Sequence, residues 1–205
     1  STPLTLLPLP TSMFQTLPVA PPDSILGLTD VFNRDPRAEK INLTVGVYKD
    51  EQGRTPVLTS VKKAEQRLLD EEKSKGYLGI EGHPDYLRHV IRLAVGDAFD
   101  AARVAAVQTP GGTGALRVAA EMVGRHFPRT RIWVSNPTWA NHNSVFEAAG
   151  LQVETHPYLG TDKTSLDLSA MLGHLRAHAK SGDLICLHAC CHNPTGIDHT
   201  SEQWE

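Results

Sequence analysis

Apolar positions along the chain alternate between two periods. Val61, Ala64, Leu68 and Leu69 recur at helical spacing and stop before Gly76. Leu87, Val90, Ile91 and Ala94 repeat the pattern, with Pro84 near the start of that segment. Ala115, Ala119, Met122 and Val123 predict a third amphipathic helix. Short β-type runs then begin to alternate with helices. "RIWVS" (131–135) reads as a strand, "HNSVFEAAG" as a helix stopped by Gly150, and "LQVETH" as a second strand. Leu168, Met171, Leu172 and Leu175 mark a further helix, and "DLICLHAC" reads as a buried strand. Strands separated by helices of this length predict an α/β fold, with a central, mostly parallel sheet flanked by helices. In the final "HTSEQWE", Thr200 or Ser201 is an N-cap candidate, with Glu202 and Gln203 in the first turn. A helix is begun there, so the chain reads as part of something longer.

Composition narrows the class without naming a function. Of 205 residues, 40% are hydrophobic and 21% charged, as in ordinary globular proteins. A net charge of −3 offers no long-range attraction to nucleic acid or an anionic membrane, and neither partner is expected. No run of about 18 apolar residues is present to span a membrane. Three cysteines, two of them adjacent, do not make a disulfide framework and suit a reducing compartment. The first residues lack the basic region of a secretory signal and the arginines of a presequence, so a cytoplasmic location is expected. Six of the fourteen prolines fall in residues 1–22. Proline lacks an amide hydrogen and restrains its predecessor, so residues 1–24 read as an extended arm. That arm is either a solvated tail or a segment lying on another surface, such as a second subunit.

Three loops carry candidate chemistry. In "QTPGGTGALRVAAEMV" (108–123), Gly111, Gly112 and Thr113 offer amides and a hydroxyl at a helix N-terminus, where a phosphate is favoured. The spacing matches neither the Walker loop nor the dinucleotide fingerprint, because Ala115 follows Gly114 and position 117 is Arg. A tight loop in which glycine serves only positive φ is the structural alternative. In "SNPTWANH" (135–142), Trp139 follows a strand, where open α/β sheets bind ligands. It can stack on a flat ring or fold over its own core. In "HACCHNPTGI" (188–197), alternate strand side chains diverge, so His188, Cys190, Cys191 and His192 are not expected to hold a metal. Cys186, Cys190 and Cys191 read as small buried residues. The turn "NPTG" brings Asn193 to the edge that carries Trp139. One loop suits phosphate, one an aromatic ring and one a polar ring substituent; pyridoxal 5'-phosphate would satisfy all three.

Several longer blocks carry a family resemblance. "INLTVGVYKDEQGRTPVLTSVKKAE", "KGYLGIEGHPDY", "QTPGGTGALRVAAE", "WVSNPTWANH" and "CCHNPTGIDHTSEQW" together resemble the aspartate aminotransferase family with its aromatic aminotransferase relatives. These are fold-type I pyridoxal-phosphate enzymes, and the resemblance runs from about Met13 to Glu205. It implies an extended arm over 1–24, then residues 25–58 contributing to a small domain and the substrate entrance. Residues 59–205 would then be an incomplete cofactor-binding large domain. By position, Gly111, Gly112 and Thr113 match the phosphate loop, and Trp139 the indole over the pyridine ring. Asn193 matches the amide that reaches the cofactor's 3-oxygen and the substrate carboxylate. Gly46 matches a backbone contact to substrate. Tyr77 matches a tyrosine that crosses a homodimer interface to the partner's phosphate. His142 and His188 match orienting positions behind the cofactor, with satisfied structural histidines as the alternative. The bonds before Pro137 and Pro194 are expected to be cis.

The same resemblance identifies what the 205 residues do not contain. The Schiff-base lysine, the acid facing the pyridine nitrogen and the arginines that clamp substrate all fall beyond Glu205. Most of the lysines present are expected on polar helix faces, and no catalytic residue is assigned. The implied parent is a homodimer moving an amino group between L-aspartate and a 2-oxo acid such as 2-oxoglutarate, with an aromatic amino acid as the alternative donor. A catalytically silent pyridoxal-phosphate-binding fragment is the alternative of another class, and a nucleotide-binding module a remote third.

Overall fold

The computed structural model describes residues 26–42, 46–97 and 99–205. The expected arm lies outside them. The chain divides into two compact units at Lys75–Gly76.

In the first unit, helix α1 (Leu26–Arg34) is closed by Lys40, whose Nζ donates to the carbonyls of Phe32 (2.7 Å) and Asp35 (2.6 Å). A turn at Asp50–Arg54 is pinned by the Asp50 carboxylate, which accepts the amides of Gln52 and Arg54. Gly53 there has φ +73°, which a residue with a Cβ adopts only with strain. Helix α2 (Thr59–Glu71) follows the predicted stripe but buries none of its residues. Among the lysines of the described residues, only Lys62 and Lys63 lie on a helix; the others sit in loops, contrary to expectation.

The second unit is built around a parallel sheet. Helix α3 (Pro84–Val95) starts with Pro84, whose missing amide hydrogen costs nothing in a first turn, and His83 Nδ1 accepts the Asp85 amide. Helix α4 (Gly111–His126) precedes strand β1 (Arg131–Asn136), which leads through α5 (Asn141–Ala148) to β2 (Gln152–Pro157). Helix α6 (Leu168–His178) and strand β3 (Leu184–Ile185) follow, and α7 (Ser201–Trp204) ends the chain. The strand order is β2-β1-β3, all parallel, with β1 in the centre.

Alternation along β1 explains the two cores. Ile132 and Val134 face α4 and α5, packing with Ala120, Phe146 and Leu151. Trp133 faces α6 and packs with Tyr158, Met171 and Leu175. Trp133 Nε1 donates to Asp183 (2.9 Å), and the Asp183 carboxylate also accepts from Arg131 and the Lys180 amide. The Arg131 hydrogen bond holds the Asp183 carboxyl far below the usual carboxylate range.

Three expectations are corrected. The buried face of α4 is Leu116, Ala120 and Val123, whereas Ala115, Ala119 and Met122 point outward. Gly124 sets this phase: a Cβ on it would lie 2.8 Å from the Ala149 carbonyl, so only glycine lets α5 approach that closely. The "DLICLHAC" run is not a buried strand. Only Leu184 and Ile185 pair with β1, both exposed, because β3 is the sheet's edge among the described residues. Cys190 and Cys191 are exposed and Cys186 half-buried. The chain leaves the sheet after Cys186 and turns, so the strand geometry invoked for these cysteines does not apply.

Candidate functional site

Short connections place the three loops at one end of the sheet. After the turn at 127–130, β1 runs back along α4, and α5 starts a few residues beyond the end of β1. The contact of Gly124 with Ala149, near the C-terminal ends of both helices, sets α4 and α5 side by side in the same direction. Their N-termini therefore share the C-terminal edge of the sheet, where Asn136 and the turn after β3 also lie.

The α4 N-terminus is open. Its cap, Pro110, supplies no side-chain hydrogen bond to the first-turn amides. Gly111 has φ +71°, and a Cβ on Gly111 or Gly112 would meet nothing within 4 Å. Gly111, Gly112 and Thr113 are all exposed. Thr109 Oγ1 donates to the Gly111 carbonyl (3.1 Å), and Gly114 packs tightly on the Pro110 ring. The residue before this loop is tied to the "KGYLGIEGHPDY" segment: Gln108 Oε1 accepts the His83 amide (2.9 Å), and Gln108 N donates to the Glu81 carbonyl (2.7 Å). An uncapped helix N-terminus under clear space is a ready anion site.

The other two loops join through histidine rings. Trp139, half-buried, meets His142 edge-on at 5.3 Å, and His142 stacks on Phe146. His142 Nδ1 pairs with Thr138 Oγ1 at 2.8 Å. His142 lies 5.1 Å from His188, whose Nδ1 accepts the Asn193 amide at 3.0 Å. A neutral His188 ring therefore carries its proton on Nε2. Burial, then the neighbouring His188, lowers the His142 pKa; burial lowers that of His188, with Asp198 opposing. The Asn193 side chain is exposed at this edge. The peptide bonds Asn136–Pro137 and Asn193–Pro194 are both cis.

Trp139, His142, His188 and Asn193 are thus one contact group, and Gly111 to Thr113 share its edge. Two candidates remain. Tyr77 is fully exposed, and Gly46 belongs to the first unit, with open space where a Cβ would be. Two clefts, of about 290 Å³ beside Phe127–Thr130 and about 560 Å³ beside Arg131, Trp133 and His174, open at the opposite end of the sheet. Neither contains a candidate residue. Among the described residues no group of three or more His, Cys, Asp and Glu is arranged to hold a metal.

Sequence reasoning missed a buried layer beneath Asn193. His192 Nε2 lies 2.8 Å from Ser135 Oγ, and its Nδ1 lies 2.8 Å from Thr195 Oγ1. Its ring stacks on Tyr158 at 3.8 Å and 12°. Asp198 accepts the amides of Cys191 and His192, each at 2.7 Å, closing the turn that carries Asn193. Burial, with the neighbouring His188, pushes the His192 pKa down to about 4. Thr195 and Asp198, at polar positions of a turn, were the available signal; Tyr158 had none.

An α/β layer with an uncapped helix end on the same sheet edge as an indole is an arrangement that could hold an anionic ligand with a flat ring. A family model described as aminotransferase class I and II matches residues 38–205, and the chain belongs to that family. It is 53% identical over 196 residues to an aspartate aminotransferase of Salmonella typhi, covering 94% of this chain and 49% of that protein. It is 47% identical to an aromatic-amino-acid aminotransferase of Pseudomonas aeruginosa, with the same coverage of both. The solved aromatic-amino-acid aminotransferase of Burkholderia pseudomallei, covalently bound to pyridoxal phosphate, superposes with a TM-score of 0.87 at 39% identity, covering 94% of this chain and 49% of that one. The chain spans about half the length of these relatives.

Proposed function

We propose that this chain supplies the cofactor cradle of a pyridoxal-phosphate aminotransferase that moves an amino group between L-aspartate and a 2-oxo acid such as 2-oxoglutarate. The observation that carries the reading is the uncapped start of α4, with Gly111 at positive φ under open space, on the sheet edge that also bears Trp139 and Asn193. The residues present fit the cofactor. Amides of Gly111 and Gly112, with the Thr113 hydroxyl, would hold the phosphate. The Trp139 indole would cover the ring face, and the Asn193 amide would donate to the 3-oxygen and reach the substrate carboxylate. His142, fixed by Thr138 and Phe146, and His188, fixed by the Asn193 amide, would orient the groups behind the ring. When bound, pyridoxal phosphate supplies the aldehyde that takes up the amino group and the ring that absorbs the resulting electron density.

Gly46 would contact substrate through its backbone. Tyr77, fully exposed in one copy, would reach the phosphate of a partner in a homodimer. The division of labour expected from sequence, with 25–58 at the substrate entrance and 59–205 around the cofactor, belongs to the same proposal. So does a cytoplasmic location. It is supported by a relative from Saccharomyces cerevisiae named cytoplasmic, although one from Schizosaccharomyces pombe is named mitochondrial. Aspartate is preferred to an aromatic donor on the higher identity, 53% against 47%. The covalent lysine is assigned to the part of the relatives' length that this chain does not span.

The test is to assay the complete polypeptide with pyridoxal phosphate, aspartate and 2-oxoglutarate, following oxaloacetate. Faster turnover with phenylalanine than with aspartate would reverse the donor assignment, and no turnover with either would sink the reading. For the 205 residues alone, the silent-fragment reading is favoured by the half-length coverage. It predicts reversible cofactor binding with no borohydride-stable adduct at any particular lysine.

A further inference from the structure

The turn that carries Asn193 is closed upon itself. Asp198 gathers the Cys191 and His192 amides, the Gly196 amide donates to the His192 carbonyl at 2.7 Å, and Thr195 Oγ1 accepts the Ile197 amide at 3.1 Å. None of these bonds fixes the turn to the sheet. Two side chains do. Tyr158 donates its hydroxyl to the Ile197 carbonyl at 2.7 Å. His192 reaches from the residue before Asn193 to Ser135, the last buried residue of β1. Ser135 lies in the same strand end that runs on through Pro137 to Trp139. The bond between His192 and Ser135 thus links the loop of the indole to the loop of the amide.

We infer that His192 is a positioning residue for the cofactor site, holding Asn193 in register with Trp139 through its two hydroxyl partners and its stack on Tyr158. This rests on the assignment of Asn193 to the cofactor's 3-oxygen. The geometry suits the role. At 3% exposure, His192 has no water to exchange partners with. Each ring nitrogen has one hydroxyl, and a hydroxyl can donate or accept, so a neutral ring is satisfied in either tautomer. The ring cannot swing without losing both bonds and the flat contact with Tyr158. The titratable groups around it are His188, Asp198, His199, His142 and Tyr158.

The experiment uses the complete aminotransferase polypeptide loaded with pyridoxal phosphate. It compares His192→Ala, His192→Gln, Asn193→Ala and the His192→Ala/Asn193→Ala double variant. Two quantities are read: the dissociation constant for the cofactor, and the midpoint of the pH titration of its visible absorbance band. Loss of Asn193's bond should weaken cofactor binding roughly three- to tenfold and move the midpoint. His192→Ala should do both in the same direction, the double variant should go no further than Asn193→Ala, and His192→Gln should recover most of the loss. If His192→Ala does not fold, Ser135→Ala, which removes one bond, must still move the midpoint. Wild-type values for His192→Ala beside shifted values for Asn193→Ala overturn the inference and leave the cofactor reading intact, as does a double variant whose shifts add. Unshifted values for Asn193→Ala, with cofactor still bound, overturn the Asn193 assignment and this inference together.

Discussion

The strand-centred stretch Arg131–His178 and the helix α2 carry equally plain apolar patterns, yet only the first is covered. Each face of β1 has its own cluster, and Val134 is wholly buried. In α2, Val61, Leu68 and Leu69 are 44%, 60% and 78% exposed. Helix α2 rests on local terms: its 13 residues include good helix formers and ion pairs such as Lys62–Glu65 at 2.7 Å. Such pairs contribute a few tenths of a kcal/mol. A periodic stripe therefore tells which face is to be covered. Whether it is covered depends on what else is folded beside it.

The largest effect should come from Trp133→Ala. That change removes the centre of the α6-side cluster and the indole donor to Asp183, and it should cost about 3–5 kcal/mol in urea denaturation of the chain. A cost below about 1 kcal/mol would mean that the sheet is no better packed than α2.

A smaller effect follows from acid. His192 titrates near 6.5 in an unfolded chain and at about 4 when folded, because burial and the nearby His188 disfavour its charge. Between those pH values the unfolded chain holds the proton and the folded chain does not, so stability falls as pH drops from 6.5 towards 4 and levels off below. The loss should be about 3 kcal/mol for this residue. His142, His156, His188 and His199 shift in the same direction, chiefly through burial, and add to it. Urea midpoints across this range measure the slope, and His192→Gln should flatten it. A flat profile in the unsubstituted chain would show that the ring is solvated.

Much of this organisation was legible in the sequence because it rests on short-range rules. The β1–α5–β2 order, the capping of α7 by Thr200 and the positions of Trp139 and Asn193 follow from periodicity, cap chemistry and turn residues. What was not legible depends on distant partners. Apolar residues surround most of α4, so spacing alone admits two phases, and the choice came from Gly124 against Ala149. The length of β3 depends on what pairs with its free edge, which local propensity does not encode. His192 carried no assigned role in the sequence beyond a metal reading that was set aside; its partners Ser135 and Tyr158 are separated from it by 57 and 34 residues in the chain.

Two glycines sharpen the contrast at the level of about 1 kcal/mol. Gly124→Ala should destabilise by about 1–2 kcal/mol, since a backbone carbonyl 2.8 Å away outweighs the gain in helix propensity. Gly173→Ala, in α6 with nothing within 4 Å of the new methyl, should stabilise by about 0.5–1 kcal/mol. Thermal unfolding of the two variants should move in opposite directions, and movement in the same direction would contradict the helix packing described for α4.

The smallest effect bears on α2 itself. Leu69 is 78% exposed, so Leu69→Lys removes no buried contact. Lysine is nearly as good a helix former as leucine, and the change should alter stability by less than about 0.5 kcal/mol. It should also reduce self-association of the chain, because the stripe of Val61, Leu68 and Leu69 is the kind of exposed apolar surface that drives it. Urea denaturation and light scattering at several concentrations separate the two quantities. A loss above 1 kcal/mol that does not vary with concentration would mean that Leu69 is packed within a single copy. A loss that appears only at high concentration would mean that copies cover one another's stripes, and that the exposure of α2 is a property of the isolated chain.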